Sequence, residues 1–88
     1  MMPMSHASRR VTLYRRAGCH LCDGAQALLS RLSATLDFAV DEVDIDQNAS
    51  LVQRYDSMIP LVAVDGREVA RAPLVPRAVE AKLRAALQ

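Results

Sequence analysis

Aromatic residues are almost absent from this sequence. Its 88 residues include no tryptophan, one phenylalanine and two tyrosines, so that only 3% of the chain is aromatic. Hydrophobic residues nevertheless make up 51% of it, a fraction too high for a disordered chain. The core must therefore be built from leucine, valine, isoleucine and alanine, and a chain of this length has room for only one such core.

A strong charge imbalance and long apolar runs are also missing. The formal net charge of +1 gives no reason to expect a nucleic acid or a membrane as partner. No apolar run approaches the ~20 residues of a transmembrane helix, and residues 1–10 lack the apolar centre of a signal peptide. We therefore expect a flexible tail over residues 1–10, one domain over residues 11–88, a monomer and a cytoplasmic location.

Cysteine occurs only twice, at Cys19 and Cys22, with two residues between. A stable structural disulfide is unusual in the cytoplasm, so this pair is expected to be catalytic or metal-binding. A closed zinc site needs about four ligands, and within one chain only His20 and the tail residue His6 remain to complete it. Redox chemistry is therefore favoured, and no metal site is predicted within the chain. A cluster shared between two chains stays open.

The hydrophobic pattern of the first half predicts a strand, a helix, a strand and a short helix. The first strand covers residues 11–14, the second covers 38–45, and the short helix covers 49–55 with Asp46 or Asn48 as its cap. The first helix carries an apolar stripe at helical spacing, formed by Cys22, Ala25, Leu29, Leu32 and Leu36 and widened by Leu21 and Leu28.

The second half predicts a hairpin followed by a last helix. Two apolar runs, 61–64 and 67–70, are separated by Asp65-Gly66, a pair that tolerates the positive φ angles of a type I′ turn. The helix starts at Pro73 or Pro76. Its predicted apolar face consists of Val75, Val79, Leu83, Ala86 and Leu87. The complete order is β-α-β-α-β-β-α.

The two cysteines have different predicted environments. Cys19 lies at the entrance of the first helix, where unpaired N–H groups and a partial positive charge favour a thiolate and lower the thiol pKa. Cys22 belongs to the buried stripe. Cys19 is therefore the candidate nucleophile, and Cys22 is the candidate thiol that resolves a mixed disulfide. His20 either stabilises the thiolate when protonated or is a solvated residue without consequence, and both alternatives stay open.

This order of elements, with Cys19-His20-Leu21-Cys22 after the first strand and Ile59-Pro60 before the third, resembles the thioredoxin superfamily. Within it the chain is similar to the short glutaredoxin-like proteins of bacteria, over roughly residues 11–87. The resemblance implies an α/β, thioredoxin-like fold with a four-stranded mixed sheet flanked by helices. It also implies that Pro60 is a cis residue beside the cysteines and that Ile59 pairs with substrate through its backbone.

The chain departs from that family at its glutathione contacts. Arg16 stands where glutaredoxins usually have a lysine that contacts a glutathione carboxylate, and His20-Leu21 replaces the usual Pro-Tyr between the cysteines. The glycine pair and acidic residue that hold the other end of glutathione are replaced by residues 70–74, Ala-Arg-Ala-Pro-Leu. The predicted substrate-binding residues are Arg16, His20, Ile59 and Pro60, and we expect glutathione to bind weakly.

Together these features predict a small dithiol oxidoreductase. It would act on protein or small-molecule disulfides, hold no bound cofactor, and receive electrons from glutathione or from a thioredoxin-type reductase. The alternative is a glutaredoxin-shaped binding module, or an inter-chain carrier of a metal or iron–sulfur cluster, with little oxidoreductase activity. Because both cysteines are present, we favour the enzyme.

Overall fold

A computed structural model describes residues 9–88 of the chain. It contains four strands, three α-helices and one 3₁₀ turn in the predicted order. In chain order they are β1 Arg10–Arg15, α1 His20–Leu36, β2 Ala39–Asp44, the 3₁₀ turn Ile45–Gln47, α2 Ala49–Tyr55, β3 Leu61–Val64, β4 Arg67–Arg71 and α3 Pro76–Ala86. The predicted tail falls outside the described residues except for its last two positions, and β1 already begins at Arg10.

The four strands form one mixed sheet in the order β2-β1-β3-β4. β1 pairs parallel with β2 and antiparallel with β3, and β3 pairs antiparallel with β4. Of the two inner strands, β3 is buried along its whole length, and its residues form an uninterrupted apolar run. The predicted four-stranded mixed sheet is therefore confirmed.

Helices cover both faces of the sheet because successive side chains of a strand point to opposite sides. On β1, Val11 and Leu13 are fully buried and join the main core with residues of α1 and α3. Tyr14 points the other way, and its ring lies 4.5 Å from the ring of Tyr55 on α2. Burial raises the pKa of the Tyr14 hydroxyl, with Tyr55 adding to the effect.

The β3–β4 hairpin follows its sequence signal closely. Asp65 and Gly66 have φ values of 52° and 78°, the positive angles that a type I′ turn requires. Asp65 is one of two non-glycine residues with positive φ in the described part of the chain. The pairing register shifts between Val62 and Ala63, a β-bulge that the alternation of residues did not predict.

Some sequence expectations differ from the structure, and Ala86 is exposed although it was predicted on the apolar face of the last helix. Leu21 is 68% exposed rather than part of the buried stripe, because it lies at the edge of that stripe and faces an open groove. Val75 is 57% exposed, since it is the N-cap residue of α3 and precedes the packed turns. The second strand ends at Asp44, and Ile45 turns into the 3₁₀ segment with its side chain buried.

The buried stripe of α1 supplies a direct test of the core. Leu29 is fully buried in the main cluster, whereas Leu21 on the same helix is mostly exposed. Leu29→Ala is expected to lower the free energy of unfolding by about 2–5 kcal/mol, through lost apolar burial and the cavity left behind. Leu21→Ala is the matched control and should change it by less than about 0.5 kcal/mol. Equal effects in urea unfolding would contradict the assignment of the core.

Candidate active site

The loop between β1 and α1 places the two cysteines at a helix N-terminus. Gly18 has φ +76°, a value that favours glycine and lets the chain turn into the helix. Cys19 is the N-cap residue, with extended backbone angles, and its N–H donates to the carbonyl of Arg16 at 3.4 Å. The Sγ of Cys19 accepts a hydrogen bond from the N–H of Cys22 at 3.1 Å. The sulfur therefore occupies the position of a capping oxygen.

Cys19 and Cys22 lie at disulfide distance from each other. Their Cα atoms are 5.1 Å apart, within the range that disulfides adopt. Cys19 is half-buried and Cys22 is fully buried at the start of the apolar stripe of α1. Solvent therefore reaches the first cysteine residue of the pair and not the second, the asymmetry that the sequence predicts.

Two consecutive arginines tie the cysteine loop to the rest of the fold. Arg15 reaches Asp23 in the first turn of α1, at 2.7 Å, and Glu42 on β2, at 3.5 Å. Arg16 forms a two-pronged pair with Asp46, at 2.8 and 3.1 Å, and a further contact with Asp56 at 2.7 Å. Arg16 was predicted to contact a carboxylate of glutathione. In the structure its guanidinium group is already paired with two carboxylates of the chain itself.

These contacts change the protonation equilibria of both partners. Hydrogen bonds to Asp46 and then to Asp56 raise the pKa of the Arg16 guanidinium. The hydrogen bond from Arg16 in turn lowers the pKa of the Asp46 carboxyl below its usual value. Because that pKa is lowered, the Arg16–Asp46 pair is fully formed at neutral pH and is lost only as the pH falls through the lowered value. Acidification through that value would therefore break the ion pair between Arg16 and Asp46.

The Ile59–Pro60 bond is cis, as the resemblance implies. Pro60 is buried, and its carbonyl accepts from the N–H of Ala72 at 2.9 Å. The backbone N–H and C=O of Ile59 make no hydrogen bond within residues 9–88, so they are available to an added strand. The role of Ile59 in substrate pairing stays a prediction that this geometry permits.

A groove of about 380 Å³ runs between α1 and the segment 72–76, beginning at the two residues between the cysteines. His20 and Leu21 lie at that end, and Pro60 forms part of the lining. We call it the apolar groove. A larger cavity of about 650 Å³ lies between the β3–β4 hairpin and α3, and none of its lining residues belongs to the cysteine loop.

Sequence reasoning missed several features of this site. The Ala72–Pro73 bond is also cis, and both residues line the apolar groove. A prolyl bond is cis in a small minority of cases, so the sequence carried no signal for it. Asp46 was considered only as a helix cap, but Asn48 caps α2 through hydrogen bonds from Ser50 and Leu51.

Metal ligands do not cluster in the described part of the chain. Across residues 9–88, no group of three or more histidine, cysteine, aspartate or glutamate side chains is arranged to hold a metal ion. None of the helices in that range is both long enough and apolar enough to cross a membrane.

Comparisons with known proteins agree with this geometry. A family model described as Glutaredoxin-like domain (DUF836) matches residues 10–88. An uncharacterised protein of Mycobacterium tuberculosis is 36% identical over 64 residues, which cover 67% of this chain and 66% of that protein. The match thus spans just under two thirds of the length of this curated relative.

Solved structures show the same architecture. An X-ray structure of a protein from X. campestris has a TM-score of 0.75 at 35% identity, covering 86% of this chain and 97% of that one. A thioredoxin from Halobacterium salinarum has a TM-score of 0.69 at 19% identity, covering 96% of this chain and 79% of that one. The second likeness shows the fold alone. The predicted thioredoxin-like fold is confirmed.

Proposed function

Because the chain belongs to the family of glutaredoxin-like domains, we propose that it is a small dithiol oxidoreductase that passes two electrons from Cys19 and Cys22 to disulfides. One observation carries the proposal: a half-buried cysteine caps a helix N-terminus at disulfide distance from a fully buried one. This arrangement supplies an attacking thiol and a protected resolving thiol side by side.

The first step is attack by Cys19 on a sulfur of the substrate disulfide. The N–H of Cys22 points at the Cys19 sulfur, and the other free N–H groups of the first turn add a partial positive charge. Both stabilise a thiolate and lower the thiol pKa. The substrate S–S bond breaks, a mixed disulfide forms on Cys19, and the departing thiolate takes a proton from solvent.

The second step releases the other half of the substrate. Cys22 is out of contact with solvent but adjacent to Cys19, so its thiolate attacks the Cys19 sulfur of the mixed disulfide. As the Cys19–Cys22 disulfide forms, the bond between Cys19 and the substrate sulfur breaks, and the departing thiolate takes up a proton equivalent to the one that Cys22 has lost. The chain has then lost two electrons and the substrate has gained them.

Protein or small-molecule disulfides are the proposed substrates, and glutathione or a thioredoxin-type reductase is the proposed electron donor. The donor must reduce the Cys19–Cys22 disulfide by the same thiol–disulfide exchange, in which a thiolate of the donor attacks that disulfide. No separate cofactor is required, because the two cysteines carry both electrons.

A single-turnover reaction tests the proposal. Fully reduced protein mixed with one equivalent of insulin is expected to form one Cys19–Cys22 disulfide for every two insulin thiols released. Intact-mass analysis and thiol counting after acid quenching measure both products. Dithiothreitol serves as the reference dithiol. A protein that stays reduced while dithiothreitol cleaves the same insulin would overturn the proposed function.

A further inference from the structure

The apolar groove starts at His20 and Leu21, between the two cysteines, and continues along α1. One wall is formed by Gly24, Leu28 and Arg31, and the opposite wall is formed by Pro73 and Leu74. Leu21 lies at the mouth beside the cysteines, 68% exposed. The groove therefore reaches the two residues between the cysteines and offers mostly apolar surface to a substrate that approaches them.

Gly24 keeps the groove open. It lies inside α1 without a positive φ, and a Cβ built on it would meet no heavy atom within 4 Å. Glycine inside a helix is destabilising relative to alanine, and neither backbone conformation nor close packing requires it here. Its effect is that the α1 wall of the groove carries no side chain at position 24, between Leu21 and Leu28.

The charge in the groove has one sign. All ten acidic residues of the chain lie within the described residues 9–88, and none of them lines the groove. Arg31 stands at its far end, exposed, and makes no ion pair or hydrogen bond within residues 9–88. This distinguishes it from Arg15 and Arg16, whose guanidinium groups are each held by two carboxylates. The free cation favours an anionic occupant.

We propose that the apolar groove binds an extended segment of a protein substrate, and that Arg31 pairs with an acidic side chain of that segment. The inference rests on the proposed function, because the segment is placed by a cysteine that reacts with Cys19. It names the substrate class: a protein disulfide whose cysteine has apolar neighbours and an acidic residue a few positions away.

The groove is too long for one small thiol to contact both the cysteines and Arg31. Arg31 lies about three helical turns beyond His20, or ~17 Å along the helix axis. An extended peptide advances by ~3.3 Å per residue, so four residues cover ~13 Å. Side chains on a helix lean toward its N-terminus, so the side chain of Arg31 spans the remaining distance between the end of such a peptide and the Cα atom of Arg31. A tripeptide thiol with its cysteine at Cys19 is too short to reach it.

Symmetric peptide disulfides test the proposal with the whole chain. Each peptide is capped at both ends and carries one cysteine, apolar neighbours, and glutamate four positions away on either side; the matched peptide has lysine there. Cys19 attacks one peptide sulfur, and Cys22 then attacks Cys19, so that one protein disulfide and two peptide thiols form. Stopped reactions of the reduced protein, analysed by chromatography, measure the rate for each peptide.

The wild-type protein is expected to reduce the glutamate peptide about three- to tenfold faster than the lysine peptide at low salt, the size expected for an exposed charge contact. Arg31→Glu should invert the preference, and Lys82→Glu, an equal change of charge on α3 outside the groove, should leave it unchanged. Gly24→Leu should slow both peptides relative to Ser30→Leu, an exposed α1 position outside the groove.

The outcomes distinguish failure of the groove assignment from failure of the thiol chemistry. Equal rates for both peptides, or a preference that Arg31→Glu leaves unchanged, would overturn the groove assignment while leaving the thiol chemistry intact. A folded, reduced wild-type protein that reduces neither peptide would count against the proposed function itself. Circular dichroism of each variant checks that a lower rate is not caused by unfolding.

Discussion

Cys22→Ser is expected to accumulate stable mixed disulfides on Cys19, whereas Cys19→Ser is expected to form none. In the first variant the half-buried Cys19 still attacks, but no neighbouring thiol remains to release the substrate. In the second variant the remaining Cys22 is fully buried and cannot be reached by a protein substrate. Non-reducing electrophoresis and intact mass after incubation with a protein disulfide measure the trapped species.

In a single turnover without added thiol, neither variant should release both thiols of a substrate disulfide, since each lacks one of the two electron-carrying thiols. A double Cys19→Ser/Cys22→Ser variant provides the background for trapping. Trapping by Cys19→Ser instead of Cys22→Ser would reverse the two assigned roles.

The difference in accessibility between Cys19 and Cys22 should also appear when the reduced wild-type protein is alkylated. Cys19 is expected to react first with iodoacetamide at neutral pH, because the helix N-terminus lowers its thiol pKa below that of a free cysteine. Cys22 is shielded in the core and contributes little to the early reaction. Peptide mapping after partial labelling distinguishes the two sites.

Local sequence signals predicted most of the fold. The Asp65-Gly66 pair determined the hairpin, because few residues accept two consecutive positive φ angles. The leucine spacing of α1 identified its buried face, and Leu29 is at the centre of that face. The prediction was wrong at Leu21, since helical periodicity gives the centre of a buried face but not how far that face extends around the helix, and Cys22 in the same turn is fully buried. An exposed leucine beside the cysteines belongs to the groove instead of the core.

Long-range contacts account for the features that the sequence did not predict. Arg16 pairs with residues 30 and 40 positions away, and no local pattern specifies which carboxylates a folded chain brings to an arginine. The groove depends on the path of the segment 72–76 past α1, which is set by tertiary packing. The candidate thiols could thus be found from their spacing in the sequence alone. The partners of Arg16 and the position of Arg31 in the groove could be identified only from the structure.

Low turnover of a glutathione mixed disulfide is the second large effect that we expect. Where glutaredoxins usually hold glutathione with a glycine pair and an acidic residue, this chain has Ala70 and Arg71, and Arg71 is paired with Glu68 at 2.7 Å. Arg16, the remaining candidate for a glutathione carboxylate, is held by Asp46 and Asp56. Each charge-assisted hydrogen bond is worth about 1.5–3 kcal/mol, and solvent exposure reduces this value.

Even a net loss of about 1.4 kcal/mol lowers affinity tenfold. We therefore expect kcat/KM for a small glutathione mixed disulfide to be at least about tenfold below that for the glutamate peptide disulfide. Asp46→Asn/Asp56→Asn removes both charges that engage Arg16, so it should raise the rate on the glutathione substrate several-fold without raising the rate on the peptide. Asp41→Asn, which removes the carboxylate that pairs with Arg10, is the matched control and should change neither rate. If the wild-type protein processes the glutathione substrate as fast as the peptide, its own carboxylates do not restrict Arg16, and specificity must arise elsewhere in the loop.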